Sequence, residues 1–293
     1  YSFNKTQGGL ERFYEDAKRA YKKVFERVGI GNLTYITEAD GAPFSDYSHE
    51  FQTLPPAGED NIYLDEKNKI AINEEVYTDE IIKKAGLVKG DLVKKKSIEV
   101  GNIFPIKDKV AKQLDFTYTD EKGEEQPIIM GSYGVGLGRL MGTIVEISSD
   151  DKGIVWPESV APFKVHLIAL QDDEGVMEEA NKIYESLISN NTEVLLDDRN
   201  VSAGEKFNHW EMKGVPIRID LGIKDLKRGE VTIFRRDLDK KEIISEKSLI
   251  GRIGKLAGEI SENLKKQADD IFQGKIKNVK KGINLKFWSG HNE

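Results

Sequence analysis

The stretch IIMGSYGVGLGRLMG (residues 128–142) decides how the first half of this chain is interpreted. It begins with β-prone apolar residues, continues through closely spaced glycines, and ends in an apolar helical pattern beside Arg139. Glycine allows a backbone to approach a flat or charged ligand closely. The spacing G-x-x-G-x-G-x-G excludes the dinucleotide fingerprint, and the chain has no P-loop sequence. Spacing alone leaves two interpretations open, a nucleotide-binding segment or a tightly packed turn, and both depend on Gly131, Gly134, Gly136 and Gly138.

The composition is that of a globular chain. It has 293 residues, 38% of them hydrophobic and 32% charged. At roughly 150 residues per domain, this length predicts about two domains. No apolar run approaches the ~18 residues of a membrane span, and the N-terminal residues do not resemble a signal peptide, so no membrane partner is expected.

Charge and cysteine content exclude several classes of site. The net charge is −7, so a nucleic acid would have to be held by a local basic surface. Residues 271–293 are such a candidate, although a solvated tail explains their lysines equally well. The chain has no cysteine, which excludes disulfides and thiolate zinc ligands and makes the cytoplasm the expected location.

The first half predicts an antiparallel sheet with helices. Residues 8–28 have the periodicity of an amphipathic helix, with Leu10, Phe13, Ala17, Tyr21, Val24 and Val28 on its apolar face. Short β-prone runs broken by Gly, Pro and Asp fill residues 33–75, and further strands are predicted around 98–104 and 114–130. The DEKG sequence at 120–123 predicts a turn.

The second half predicts a layered α/β domain. Residues 148–163 have no periodicity and contain two prolines, so we place the domain boundary there. Beyond it, apolar strands alternate with helices, which favours a mostly parallel sheet. The fold class expected is therefore α+β followed by α/β. The domains expected are residues 1–158, residues 159–260, and a C-terminal helix with a basic extension at 261–293.

The glycine stretch resembles motif 3 of the class II aminoacyl-tRNA synthetases. The string G-x-G-x-G-R-L matches that motif, and the following GIVWPESVAPF (153–163) is similar to the bacterial-type prolyl branch. In that family the strand backbone lies along the adenine of ATP, and the arginine pairs with the γ-phosphate. The resemblance implies that Arg139 is catalytic and that ATP, carried as its Mg²⁺ complex, is bound by Gly134, Gly136, Gly138, Arg139 and Glu99.

Two further strings resemble active-site strands of the same branch, EADGAPFSDYSHEF (38–51) and SIEVGNIF (97–104). Asn102 stands where the bacterial branch usually has histidine, and it can still donate and accept hydrogen bonds. Ser132 stands where that branch often has cysteine. Either acid taken alone, Glu50 or Glu99, would be interpreted as a surface carboxylate. By position, the resemblance implies that proline is bound by Tyr1, Glu50, Asn102 and Ser132.

Residues 197–237 resemble the anticodon-binding domain that prolyl, threonyl, glycyl and histidyl synthetases share. Proline anticodons present two guanines, whose Watson–Crick edges donate N–H groups that a carboxylate accepts. Glu211 matches the family position for this contact, and Phe207, one turn earlier, could stack on a base. The alternative is an ordinary amphipathic helix with Phe207 in the core. Positions that match base or phosphate contacts in the family are Arg218, Lys224 and Lys240.

The resemblance implies ATP-dependent ligation of proline to tRNA(Pro) by an enzyme that is a homodimer in its full-length form. Motif 1 and most of motif 2 are not found, so the chain is expected to be a C-terminal part and inactive alone. The stretch between Phe51 and Glu99 is too short for an editing domain, and Ser289 replaces a zinc-ligand cysteine, so zinc is not expected. The alternatives are a threonyl or glycyl enzyme and a non-catalytic tRNA-binding paralogue.

Overall fold

The computed structural model describes residues 1–55, 57–171 and 173–275, with side chains described to residue 267 and at 270. The basic extension and Ser289 lie outside these residues, apart from the backbone of 271–275. The first half contains nine strands and four helices within the described residues: β1 Ser2–Asn4, α1 Gln7–Arg27, β2 Thr34–Ala39, β3 Ser48–Thr53, β4 Asp60–Asp65, β5 Ile70–Asn73, α2 Asp79–Lys84, β6 Val93–Lys107, α3 Lys109–Gln113, β7 Thr117–Thr119, β8 Glu125–Pro127, β9 Ile129–Val135 and α4 Leu137–Ile147.

A seven-stranded sheet organises this half. Its strand order is β1-β9-β6-β3-β2-β5-β4, and β6 also pairs with β4. The pairings are antiparallel except for that of β2 with β5. The antiparallel sheet expected from the sequence is therefore confirmed, and the DEKG turn joins β7 to β8.

Helices α1 and α4 cover one face of this sheet. The buried side of α1 differs from the expected one, because Phe13 and Val24 are exposed while Tyr14 and Phe25 are buried. Tyr14 donates its hydroxyl to the carbonyl of Ile103 on β6, an interior strand of the sheet. The core on this side consists of Tyr14, Phe25, Ile30, Phe51, Val100, Ile103, Leu140 and Ile144. The opposite face, along β9, β6 and β3, carries the polar residues described below.

The second half contains a five-stranded sheet with order β13-β12-β14-β15-β16. The α/β class is confirmed, but the sheet is less parallel than expected. β12 pairs in parallel with β13 and β14, whereas β14–β15 and β15–β16 are antiparallel. The connections 222–229 and 236–239 are too short for parallel crossovers. The elements are β12 Val165–Ala169, α5 Glu174–Ser189, β13 Val194–Asp197, α6 Ala203–Met212, β14 Ile217–Leu221, α7 Ile223–Arg228, β15 Glu230–Arg235, β16 Lys240–Ser245 and α8 Leu249–Lys275.

The two faces of this sheet carry different helices. Helices α5 and α8 pack on one face, and their residues at helical spacing are buried or partly buried: Val176, Ala180, Ile183 and Leu187 of α5, and Ile253, Leu256, Ile260 and Leu264 of α8. Helix α6 lies on the other face. Helix α8 continues without a break through the domain boundary expected at 260/261, because its buried stripe extends to Ile260 and Leu264.

A short hairpin joins the two halves. Its strands are β10 (Ser149–Asp150) and β11 (Gly153–Ile154). A Cβ on Gly153 would lie 2.4 Å from the carbonyl oxygen of Met212, so the hairpin backbone rests directly on the end of α6. Trp156 donates its indole N–H to the carbonyl of Lys213 at 2.9 Å.

Candidate functional site

Polar residues from three strands form a row on the open face of the first sheet. Glu50 lies opposite Asn102, and Asn102 lies opposite Gly134. Phe51 pairs with Gly101 and Gln52 with Glu99, so Val100 is an extra residue, a β-bulge. Because of this bulge, Glu99 and Asn102 point to the same face although three positions separate them. The Asn102 amide donates to Glu99 Oε1 at 2.8 Å.

Glu50 is largely enclosed within this row. Its Oε2 accepts hydrogen bonds from Gln52 Nε2 at 2.9 Å and from Asn73 Nδ2 at 3.0 Å. Burial raises the pKa of Glu50, the two hydrogen bonds oppose that shift, and the nearby charge of Glu99 adds to it. The carboxylate is thus held in one orientation by two amides.

Arg139, in the first turn of α4, brings a positive charge to the row. Its Nη1 donates to Glu99 Oε2 at 2.8 Å and to the Glu99 carbonyl at 3.1 Å, and its Nε lies 3.8 Å from Glu59. About half of its side chain is exposed. No described residue accepts a hydrogen bond from Nη2, so this part of the guanidinium is available to a ligand.

The glycines of 128–142 have different reasons to lack a side chain. A Cβ at Gly134 would lie 3.0 Å from Asn102 Oδ1, whereas a Cβ at Gly138 would have no heavy atom within 4 Å. Close packing within the chain therefore explains Gly134 but not Gly138. Gly136 is intermediate, 3.4 Å from the Cβ of Arg139. Gly134 therefore fits the close-packing interpretation, and the nucleotide-binding interpretation stays a prediction.

The two remaining residues expected at the proline site lie at the edge of the row. Ser132 is opposite Phe104 and on the same face as Gly134. Ser2 is opposite Gly131, and continuing this register brings Tyr1, whose side chain is 76% exposed, opposite Ser132.

Sequence reasoning missed Gln52, which is fully buried on the same face. Its Nε2 bridges Glu50 and Asp60, and its Oε1 has no hydrogen-bond partner in the described chain. Strand alternation two residues after Glu50 was the available signal. A buried acceptor without a donor is a position where a ligand can supply one.

A second cluster lies between α6 and the second sheet. The guanidinium of Arg218 is stacked between two rings, 3.9 Å from the centroid of Phe207 and 4.4 Å from that of Phe234. Arg218 is buried and donates to both carboxylate oxygens of Asp220, at 2.7 and 3.3 Å. One face of Phe207 is therefore covered by Arg218, and a base could stack only on the other.

Glu211 lies beside this stack. Its Oε2 is 3.5 Å from Arg218 Nη1, and its Oε1 is 3.7 Å from Lys152 Nζ. No described residue donates a hydrogen bond to its side-chain carboxylate. Glu211 is therefore flanked by two cations while its oxygens keep lone pairs for another donor.

The structure does not bring all five expected anticodon residues together. Lys240 lies opposite Arg235 in the pairing of β15 with β16. Its side chain is therefore on the α8 face of the sheet, away from Phe207. Its neighbour Lys241 occupies the cluster instead, 5.7 Å from the Phe207 centroid and 3.7 Å from Asp220. Lys224 is exposed on the first turn of α7, beyond the end of β14.

A buried hydrogen bond between His166 and Asp197 lies beside α6, where the His166 ring is 5.5 Å from that of Trp210. His166 Nε2 lies 3.2 Å from Asp197 Oδ2, and Arg199 donates to both oxygens of Asp197. Burial lowers the pKa of His166 to about 4, although Asp197 opposes the shift. Within the described residues, no group of three or more His, Asp or Glu could hold a metal ion, and no helix could span a membrane.

Comparisons with known proteins agree with this architecture. The family described as tRNA synthetase class II core domain (G, H, P, S and T) matches residues 1–148, and the anticodon binding domain family matches residues 164–256. The chain therefore belongs to the class II tRNA synthetase family. Its relatives include proline–tRNA ligases from several bacteria.

Three of these relatives show how far the similarity extends. The proline–tRNA ligase of Rickettsia bellii (strain OSU 85-389) is 35% identical over 84% of this chain and 61% of its own length. That of Wolbachia sp. subsp. Drosophila simulans (strain wRi) is 38% identical over 80% and 57%. That of Halothermothrix orenii is 41% identical over 57% and 29%. The chain thus spans about three fifths of the length of the first two relatives.

Proposed function

We propose that the protein containing this chain ligates proline to tRNA(Pro) with ATP. The observation that carries the proposal is the position of Arg139. It stands at the start of α4, and its guanidinium pairs with Glu99, whose side chain lies on the same sheet face as Glu50 and Asn102. A cation beside ordered carboxylate and amide groups suits a substrate pair that carries phosphate and an ammonium.

In the proposed reaction the proline carboxylate attacks the α-phosphate of ATP, and pyrophosphate leaves. The 3′-terminal ribose hydroxyl of the tRNA then takes the acyl group. ATP enters as its Mg²⁺ complex and would lie along Gly134, Gly136 and Gly138, with Arg139 on the γ-phosphate. Positioning and charge neutralisation supply the catalysis, and no protein nucleophile is needed.

The proline side of the site would use Tyr1, Glu50, Asn102 and Ser132. The secondary ammonium of proline has two N–H donors. Glu50, held by Gln52 and Asn73, offers a carboxylate for one of them.

The α6 cluster would read the anticodon. Glu211 presents two oxygens without bound donors, which matches the N1–H and N2–H₂ groups of one guanine. Phe207 would stack on a base through the face that Arg218 does not cover. Arg218 is buried between Phe207 and Phe234, so we assign it to holding Phe207 and Glu211 in place, and we assign the outer cation to Lys241. Lys224, exposed on the first turn of α7, would contact a backbone phosphate.

Amino-acid-dependent exchange of pyrophosphate into ATP tests the proposal. The protein expressed from the complete reading frame should exchange with proline and not with threonine or glycine. The same preparation should charge tRNA(Pro). Exchange with threonine or glycine instead of proline would transfer the assignment to another enzyme of the subclass. No exchange with any amino acid, by a folded protein that still binds tRNA(Pro), would support a non-catalytic paralogue.

A further inference from the structure

The hairpin β10–β11 is attached to the end of α6 by a buried arginine. Arg236 is only 2% exposed, and it donates to both oxygens of Asp150, at 2.7 and 2.5 Å. It also donates to the Gly153 carbonyl at 3.1 Å and to the Glu211 carbonyl at 3.3 Å. The hairpin, which follows α4 directly, is thereby fixed against the backbone of Glu211.

Lys152 stands at the tip of this hairpin. Its Nζ donates to both oxygens of Asp239 at 2.8 Å and lies 3.7 Å from Glu211 Oε1. The hydrogen bond with Asp239 raises the pKa of Lys152, so the ammonium stays charged. Arg218 approaches the other oxygen of Glu211. Each oxygen of this carboxylate therefore faces one cation, and the two cations come from different halves of the chain.

We propose that Lys152 is a positioning residue for Glu211, supplied from outside the anticodon-binding domain, and this inference rests on the proposed function. A glutamate on a helix surface has several accessible rotamers. With one cation facing each oxygen, the favoured rotamer of Glu211 is the one in which Lys152 attracts Oε1 while Arg218 attracts Oε2. Both lie beyond hydrogen-bond distance, so they orient the carboxylate without occupying the lone pairs that a guanine would use.

Among the residues that the structure describes, removal of Lys152 leaves Arg218 as the only cation within 4 Å of the Glu211 carboxylate. The Glu211 carboxylate then turns toward Arg218, and its two oxygens no longer face a guanine edge together. The expected consequence is a loss of discrimination between anticodons. A loss of general RNA affinity, from one cation fewer, would affect all RNAs alike and cancels in a ratio of dissociation constants.

The test measures binding of two anticodon stem-loop RNAs to the 293-residue chain, one with the proline anticodon and one with its two guanines replaced by adenines. The ratio of their dissociation constants should fall about three- to tenfold in Lys152→Met. Lys152→Arg should restore most of it. Lys182→Met is the matched control, since Lys182 makes one 2.8 Å pair with Glu179 on a distant helix, and its ratio should match wild type.

A double-mutant cycle separates positioning from a structural effect. In a Glu211→Gln background, Lys152→Met should change the ratio no further, and melting temperatures of both single variants should stay near wild type. A wild-type ratio near one would refute the proposed anticodon function itself. A large wild-type ratio that Lys152→Met leaves unchanged, or changes equally in the Glu211→Gln background, would overturn the role of Lys152 alone.

Discussion

The guanidinium of Arg139 is held by Glu99 and is still about half exposed. We expect Arg139→Ala to reduce proline-dependent pyrophosphate exchange by about 2–4 kcal/mol of transition-state stabilisation, because a charge-assisted phosphate contact is lost. Thermal stability should change little, since an exposed ion pair contributes ~1 kcal/mol or less. Steady-state kinetics of exchange would measure the loss.

Arg19→Ala is the control for this substitution. Arg19 pairs with Asp16 on the exposed side of α1, far from the row. Its variant should exchange pyrophosphate at the wild-type rate. If Arg139→Ala behaves like Arg19→Ala, the phosphate role of Arg139 is wrong.

Two histidines, the buried His166 and the largely enclosed His49, make the free energy of unfolding depend on pH. Burial lowers the pKa of His166 to about 4 and that of His49 to about 3, from an ordinary value of 6.5. In the unfolded chain both rings take up protons below pH 6.5, while in the folded protein they stay neutral. The contribution of these two histidines to the free energy of unfolding is therefore complete above pH 6.5. It is lost as the pH falls toward their pKa values in the folded protein, about 4 for His166 and about 3 for His49.

His166→Gln should remove one part of this dependence. Between pH 7 and 4.5, urea unfolding of the wild type should lose about 2–3 kcal/mol per histidine. Over the same pH range, the free energy of unfolding of the variant should fall by about 2–3 kcal/mol less than that of the wild type, because glutamine does not titrate. His49→Gln, in the other half, should act independently. An unchanged pH profile in both variants would contradict neutral burial of these rings.

At the residue scale, sequence alone found the candidates that follow a motif and missed those set by register. Glu50, Asn102 and Gly134 form one row as their motifs suggested. Lys240 and Lys241 are adjacent, and only the hairpin register decides which of them faces α6. A turn one residue longer would have exchanged their positions, so local sequence could not settle the choice.

At the scale of elements, close contact between the backbones of Gly153 and Met212 determines how the linker hairpin docks. Gly153 has φ +130°, and a Cβ there would meet the backbone of Met212 at 2.4 Å. Gly153→Ala should therefore destabilise the protein by about 2–4 kcal/mol and loosen the hairpin from α6. Urea melts, with Trp156 fluorescence as a local probe, would measure both effects.

Gly254→Ala provides the opposite case on α8. A Cβ at Gly254 meets no atom within 4 Å on an exposed helix face. This variant should gain about 0.5–1 kcal/mol, because alanine loses less conformational freedom in a helix. If the two alanine variants shift the unfolding midpoint in the same direction, the account of hairpin docking fails.

The elements themselves were largely predictable. The buried stripes of α5 and α8 followed from helical periodicity, since each packs one face on a single core. The stripe of α1 was partly wrong because Tyr14 and Phe25 are buried by contacts with distant strands, which periodicity does not contain. The bulge at Val100 was not predictable, since it is defined only by pairing with β3.

At the scale of the whole molecule, the second half has a core of its own. Its buried cluster comes entirely from residues 165–260. A chain of residues 161–275 should therefore fold cooperatively and bind tRNA(Pro) in a salt-dependent way. A chain of residues 148–275 retains the hairpin and should be more stable by about 1–3 kcal/mol, because Arg236 keeps its hydrogen bonds to Asp150.

Asp150→Asn in the longer chain tests the source of that difference. This variant should lose most of the added stability, as measured by urea unfolding. Equal stability of the two lengths would mean that the hairpin does not dock in solution. The docking itself could not be foreseen from sequence, because it joins residues 86 positions apart.

The extra residue in β6 fixes the attachment of α4 to the sheet. In a regular strand, successive carbonyls point to opposite neighbours. Here the carbonyls of both Glu99 and Val100 turn toward the start of α4, where one accepts from Arg139 and the other from the backbone N–H of Gly136. Both acceptors are main-chain carbonyls, so replacing the side chain at position 99 or 100 does not remove them. The path of the main chain thus supplies one contact that orients Arg139 whatever side chain stands at position 99, and the Glu99 carboxylate adds a second.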